Sequence, residues 1–96
     1  MEKQGYIYII TNYNNTTLYT GVTSNLIKRI WEHKNEVVES FSKRYKLHKL
    51  VYYEIMDNIE MAISREKYIK GKSRQFKIRL IENMNKDWND LYDGII

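Results

Sequence analysis

Two histidines, an arginine four residues before one of them, three tyrosines near the N-terminus and one glutamate set among cations are the groups from which this 96-residue chain could build chemistry. His33 and His48 cannot make a zinc site without further carboxylate or cysteine ligands at a workable spacing, and the sequence holds no cysteine. That absence also removes disulfides and thiol catalysis. No Gly-x-Gly-x-x-Gly, Walker loop or serine elbow is present, so nucleotide binding and acyl transfer have no support. What remains is Tyr6, Tyr8 and Tyr19, then Arg29 and His33, then Glu66. The charges around them could serve a polyanionic partner or form a solvated helical surface, the usual meaning of such a run. Sixteen Lys+Arg against twelve Asp+Glu give only +4, but a field acts through where its charges lie. Between Arg65 and Arg79 seven residues are basic (Arg65, Lys67, Lys70, Lys72, Arg74, Lys77, Arg79) and Glu66 is the sole acid. Lys43, Arg44, Lys46 and Lys49 form a second acid-free cluster, whereas the tail after Leu80 carries Glu82, Asp87, Asp90 and Asp93. Nine tyrosines interleave with these charges. They could stack on bases or sugars, although tyrosine is equally a good strand residue.

The elements that must position these groups follow from hydrophobic periodicity. Gly5–Thr11 and 17–22 (TLYTGV) are β-branched and aromatic, and the Asn12-Tyr13-Asn14-Asn15-Thr16 cluster between them favours a turn, so a β-hairpin is expected. Pairing Ile9 with Leu18 and Tyr8 with Tyr19 puts Ile7, Ile9, Leu18 and Thr20 on a core face, and Tyr6, Tyr8, Tyr19 and Gly21 on the other. Thr23 or Ser24 is a good N-cap for a helix reaching about Val38, with Leu26, Ile27, Ile30, Trp31 and Val37 as its apolar stripe. On that helix Arg29 and His33 stand one turn apart. Residues 50–56 (LVYYEIM) read as a third strand. Asp57 with Glu60 resembles a capping box for a second helix whose core candidates are Ala62, Ile63 and Ile69. Gly71 is expected to end it, and Phe76, Leu80, Ile81 and Met84 then recur at helical spacing. Trp88 and Leu91 read as a tail that packs back on the body. The order β-β-α-β-α-α implies an α+β fold, a small three-stranded antiparallel sheet flanked by helices.

Composition sets the class. With 43% hydrophobic and 14% aromatic residues the chain is a folded globule, and 96 residues suit one domain, 1–96. No repeat or proline-marked linker divides it. No apolar run approaches the ~18–20 residues that cross a bilayer, and the N-terminus lacks a signal-peptide layout, so a cytoplasmic location without a membrane partner is expected.

Taken in order, Tyr6-Ile7-Tyr8, Tyr19-Thr20-Gly21, Arg29, His33 and Glu66 resemble the GIY-YIG nuclease domain. The strings LYTGVTSNLIKRIWEHKN, FSKRYKLHKLVYYE and AISREKYIKGKSR are similar to the small stand-alone bacterial members, related to the nuclease domain at the N-terminus of the excinuclease and to Slx1-type endonucleases. Tyr6 replaces the name-giving glycine and Thr20 an aliphatic residue. The resemblance implies a metal-dependent DNA endonuclease, structure-selective and working in DNA repair or recombination. It makes Tyr8 and Tyr19 the two motif tyrosines, Arg29 the catalytic arginine, His33 the helix histidine and Glu66 the ligand of Mg2+ or Mn2+. Phosphodiester hydrolysis needs a positioned water and stabilisation of charge on the non-bridging oxygens, work suited to one divalent cation and one guanidinium. Magnesium keeps several waters, so one carboxylate is sufficient. A tyrosine titrating near pH ~10 becomes a base only if its surroundings favour the phenolate, and His33 is an alternative proton carrier. Lys28, Lys70, Lys72 and Arg74 are candidate contacts to the DNA backbone, and a protein partner is the expected source of any specificity. A late asparagine of the family corresponds to Asn83 or Asn85, which the spacing does not separate. The competing reading is a non-catalytic nucleic-acid-binding or adaptor module on the same fold. Without the resemblance, the two motif tyrosines would read as half-buried strand residues and Glu66 as half of a surface ion pair; His48, Tyr52, Tyr53, Trp31 and Trp88 keep structural readings as core or strand-surface residues.

Overall fold

Strand β1 (Gly5–Thr11) is β-branched or aromatic along most of its length, and the computed structural model places it at the centre of an antiparallel sheet, between β2 (Leu18–Thr23) and β3 (Lys49–Met56). The structure describes residues 3–37 and 40–96. The helices are α1 (Leu26–Lys34), α2 (Phe41–Arg44), α3 (Ile59–Lys70) and α4 (Arg74–Met84), and a 3-10 turn at Tyr92–Gly94 follows them. The expected α+β class and element order are present. The single-turn α2 is an addition that periodicity could not reveal, because four residues hold no period to read.

A strand between two others is shielded at both edges, and here both of its faces are covered as well. Ile7, Tyr8, Ile9, Ile10 and Thr11 are each no more than 1% exposed. On one face Ile7 packs with Ala62 and Ile69 of α3, while Ile9 packs with Val51, Trp88 and Ile81 of α4. On the other, Tyr8 and Ile10 pack with Leu26 and Ile30 of α1, with Leu47 and Leu50, and with Leu91 from the tail. The tyrosine face of the hairpin is therefore a second core. Full burial of an Ile- or Leu-sized side chain contributes about 1.5–3 kcal/mol, so Ile30 and Ile69, each fully buried, fix the two helix layers against the sheet. Gly5 lets α3 come close: a Cβ there would lie 2.5 Å from Ala62 Cβ and 2.9 Å from the Asn58 carbonyl.

The hairpin register differs from expectation by two residues, since Tyr8 faces Gly21 and Thr11 faces Leu18. The loop sets this: Asn12 Oδ1 accepts from the backbone N–H of Thr16 at 2.8 Å and Thr17 at 3.1 Å, while Asn15 turns at φ 59°. A slip of two keeps every side chain on its expected face, so the partition of residues survives. Helix α1 starts later than expected, with Asn25 as its N-cap, and stops at Lys34 with Asn35 as C-cap. Val38, the expected end, lies outside the described residues. Only one stripe of so short a helix can meet the sheet, and it is Leu26, Ile30 and His33; Ile27, Trp31 and Val37 are exposed. The cap of α3 is Asn58, whose side chain accepts from Met61 N–H, one residue past the expected Asp57. Ile63 and Met84 face solvent, whereas Ala62, Ile69 and Ile81 are fully buried. Gly71 ends α3 as expected. Trp88 and Leu91 do pack back, helped by Leu91 N–H on the Leu50 carbonyl at 2.7 Å.

Candidate active site

The cross-strand pair Tyr8↔Gly21 begins the site. A Cβ on residue 21 would lie 2.3 Å from Tyr8 Cζ and 2.4 Å from its hydroxyl, so only glycine lets the Tyr8 side chain cross β2. The ring runs over the sheet toward α1, where the Tyr8 hydroxyl meets His33 Nε2 at 2.9 Å. Tyr19, from β2, stands beside both: its ring is 6.4 Å from Tyr8 and 6.1 Å from His33 between centroids. Arg29, one turn before His33, interacts electrostatically with the Tyr8 hydroxyl and reaches Glu32 through Nη1 at 3.5 Å. Its Nε–H is buried with no acceptor among the described residues. Tyr19, Arg29, Glu32 and His33 line a small cleft of about 70 Å³ with Ser40, Phe41 and Ser42 of the α2 segment.

Glu66 reaches this group from the opposite layer. It is buried on α3, and Lys70 one turn later donates from Nζ to its Oε2 at 2.8 Å. The same ammonium sits 5.5 Å from the centre of the Tyr19 ring, so a carboxylate, a cation and a tyrosine meet at the edge of β2.

Electrostatics keep the tyrosine and histidine neutral. Burial is the main reason the Tyr8 phenol is pushed up to about 12; the Arg29 contact and charge oppose this, while Tyr19 and Glu66 reinforce it. Burial again, with help from the Arg29 charge, lowers His33 to about 4 against the pull of Glu32. Arg29 is held above its ordinary range by the Tyr8 hydroxyl, and Lys70 above its own by the Glu66 carboxylate.

Thus Tyr19, Arg29 and His33 line one cleft, Tyr8 lies buried behind it with its hydroxyl on His33, and Glu66 adjoins the group through Lys70. The other cationic candidates lie farther out. Lys28 is exposed on α1 and lines, with Arg29 and Glu32, a shallow groove of about 290 Å³. Lys72 lies over the Tyr68 ring at 4.5 Å, and Arg74 donates to the Asn15 carbonyl at 3.3 Å. His48 pairs with Glu36 at 2.9 Å. Asn85 is buried and donates to the Val51 and Asn89 carbonyls at 3.1 and 2.7 Å, which ties the tail to β3, while Asn83 is exposed; neither lines the cleft. Sequence reasoning missed Ser40 and Ser42, whose neighbours Lys43 and Arg44 drew attention only to charge. It also missed the Lys70 link to Glu66, although an i,i+4 acid–base pair on a helix is a legible signal.

Comparison with known proteins places the chain in a family. The family model described as the GIY-YIG catalytic domain matches residues 4–79. The UPF0213 protein CPE1444 of Clostridium perfringens is 40% identical over 91 residues, covering 88% of this chain and 97% of its own. A UPF0213 protein of Syntrophus aciditrophicus is 36% identical, with 83% and 92% covered. The solution structure of the UPF0213 protein BH0048 of Bacillus halodurans superposes with a TM-score of 0.57 at 23% identity, over 91% of this chain and 92% of that one, and shows a shared fold. The chain belongs to the GIY-YIG family, among its small UPF0213 members.

Proposed function

We propose that residues 1–96 form a single nuclease domain, a metal-dependent endonuclease that hydrolyses phosphodiester bonds in DNA with selectivity for structure, in DNA repair or recombination. One observation carries this reading: Tyr19, Arg29 and His33 line one cleft, the buried Tyr8 hydroxyl is hydrogen-bonded to that histidine, and a buried carboxylate lies beside the group, in a chain of the GIY-YIG family.

The donor set fits magnesium or manganese. Glu66 is one buried carboxylate, and the described residues hold no group of three metal-ligating side chains, which does not suit zinc but suits an ion that keeps its waters and takes substrate oxygens. When bound, such a cation supplies charge neutralisation at the scissile phosphate and polarises a water. To free the carboxylate for it, Lys70 changes partner, from Glu66 to the incoming phosphate.

Arg29 has unused donors and binds a non-bridging oxygen, where its fork stabilises the charge that grows as the attacking water adds. Tyr8 takes the proton from that water at its phenol oxygen and passes its own proton to His33 Nε2, already at hydrogen-bond distance. Because both groups are neutral at rest, the proton moves along a hydrogen-bonded pair and no free phenolate has to form first. Tyr19 orients the cluster through its ring contacts with Tyr8 and His33. Lys28, Lys72 and Arg74 supply charge to flanking phosphates.

The test is a nicking assay on plain, flapped and branched DNA with Mg2+ or Mn2+. Cleavage that requires the ion and falls at least ~10²-fold in Glu66→Gln and Arg29→Ala supports the reading. Ion-dependent cutting unchanged in both variants sinks it, and salt-sensitive binding with no cleavage of any substrate establishes the non-catalytic binding module instead.

A further inference from the structure

The hydrogen-bond chain does not stop at His33. Its Nδ1 meets Ser42 Oγ at 2.7 Å, and Ser42 Oγ meets Ser40 Oγ at 2.9 Å. Ser42 is 3% exposed, whereas Ser40, the N-cap of α2 and acceptor of Lys43 N–H, is open to solvent. The single helical turn of α2 thus places one buried hydroxyl against the imidazole edge that Tyr8 does not use.

We propose that Ser42 is a positioning residue that holds His33 in the Nδ1–H tautomer, leaving Nε2 bare to receive the Tyr8 proton. The inference rests on the nuclease reading for its catalytic consequence. The direction of the bonds follows from donor arithmetic. The Tyr8 hydroxyl is buried and protonated, and the Arg29 guanidinium beside it has no lone pair to offer, so His33 Nε2 is its acceptor. A neutral imidazole with Nε2 accepting carries its proton on Nδ1, which donates to Ser42 Oγ. Ser42 in turn donates to Ser40, whose own hydroxyl proton faces water. The reverse orientation would aim Nε2–H at the phenol oxygen and leave a buried Tyr8 O–H without an acceptor. When Nε2 takes the Tyr8 proton, the imidazolium can release its Nδ1 proton to Ser42 as Ser42 passes its own to Ser40 and Ser40 passes one to solvent. The imidazole emerges neutral, with no net change in either serine.

The experiment uses the full chain labelled with 15N-histidine, with His48→Gln to assign the two imidazoles. Long-range 1H–15N correlations are expected to show His33 protonated at Nδ1 and bare at Nε2 in the wild type. In Ser42→Ala the ring is expected to lose that preference, with kcat falling about 10- to 100-fold at nearly constant KM, and Ser42→Thr to restore both. A wild-type ring protonated at Nε2 overturns the proposal without any variant. So does a Ser42→Ala protein whose tautomer is unchanged, or one whose tautomer shifts while kcat stays at the wild-type value. A wild type that cleaves no DNA refutes the nuclease reading instead, and the tautomer then decides the Ser42 assignment on its own.

Discussion

Replacing Gly21 with alanine probes the fold and the site together. The added Cβ would sit 2.3, 2.4 and 2.8 Å from Tyr8 Cζ, Oη and Cε1, where carbon contacts settle at ~3.5–4.0 Å. Something must move by more than about 1 Å. The ring cannot retreat freely, because Tyr8 is 1% exposed and packed among Ile10, Leu26 and Ile30. Overpacking of this kind costs about 1–3 kcal/mol, and contact with three atoms of one rigid ring places Gly21→Ala at the upper end. The 2.9 Å bond from Tyr8 to His33 is at the tip of the displaced ring, and a misplacement of ~1 Å at a reacting group costs ~10²-fold in rate. Gly5→Ala is the matched control: it collides with Ala62 Cβ at 2.5 Å and the Asn58 carbonyl at 2.9 Å, away from the cleft. Urea denaturation and the nicking rate per folded molecule separate the two effects. Both variants should lose stability, and only Gly21→Ala should lose cleavage. A Gly21→Ala protein within ~0.5 kcal/mol of wild type and equally active would refute the reasoning.

Arg29→Lys keeps the charge but not the fork, so cleavage should fall ~10²-fold or more with little change in melting temperature; near-normal rates would show that charge alone suffices. Lys70→Met removes the partner that competes for Glu66. A partly buried ion pair contributing about 1 kcal/mol predicts roughly fivefold tighter Mn2+ binding by calorimetry, and weaker or equal binding would contradict the exchange. Stability should depend on His33: its pKa drops from 6.5 unfolded to about 4 folded, so its contribution is fully present above pH ~6.5 and is lost as pH falls toward 4. Allowing for partial solvent screening, the loss is about 2 kcal/mol, and His33→Gln should flatten that part of the stability profile measured by urea unfolding.

Much of the site was legible because its residues are local to strong elements. The strand faces of the tyrosines and the one-turn spacing of Arg29 and His33 follow from the periods of their elements, whereas the roles of all five residues, Glu66 included, rest on the resemblance to the GIY-YIG pattern. The face of every hairpin residue was also correct, since a register error of two preserves the pleat, and the true register depended on hydrogen bonds that the Asn12 side chain makes across its loop. The apolar stripe of α1 was read too wide. Periodicity marks Ile27 and Trp31 as apolar, but only packing shows that the sheet accepts the line of Leu26, Ile30 and His33.

The basic run shows the same division. By sequence Arg65, Lys70, Lys72 and Arg74 form one positive stretch. In the fold Arg65 makes a two-pronged pair with Glu54 at 2.9 and 3.0 Å, Lys70 neutralises Glu66, Lys72 lies on aromatic rings and Arg74 fastens the hairpin loop. Sequence alone determined the faces of the strands and the order of the long elements, which depend on residue type and on spacing within one element, and its resemblance to the GIY-YIG pattern pointed to the family and to five candidate site residues. Tertiary structure decided that Gly21 is the space Tyr8 occupies, that Lys70 holds the carboxylate, and that Ser42 closes the chain behind His33. Those are contacts between elements, and their distances follow from how the layers pack.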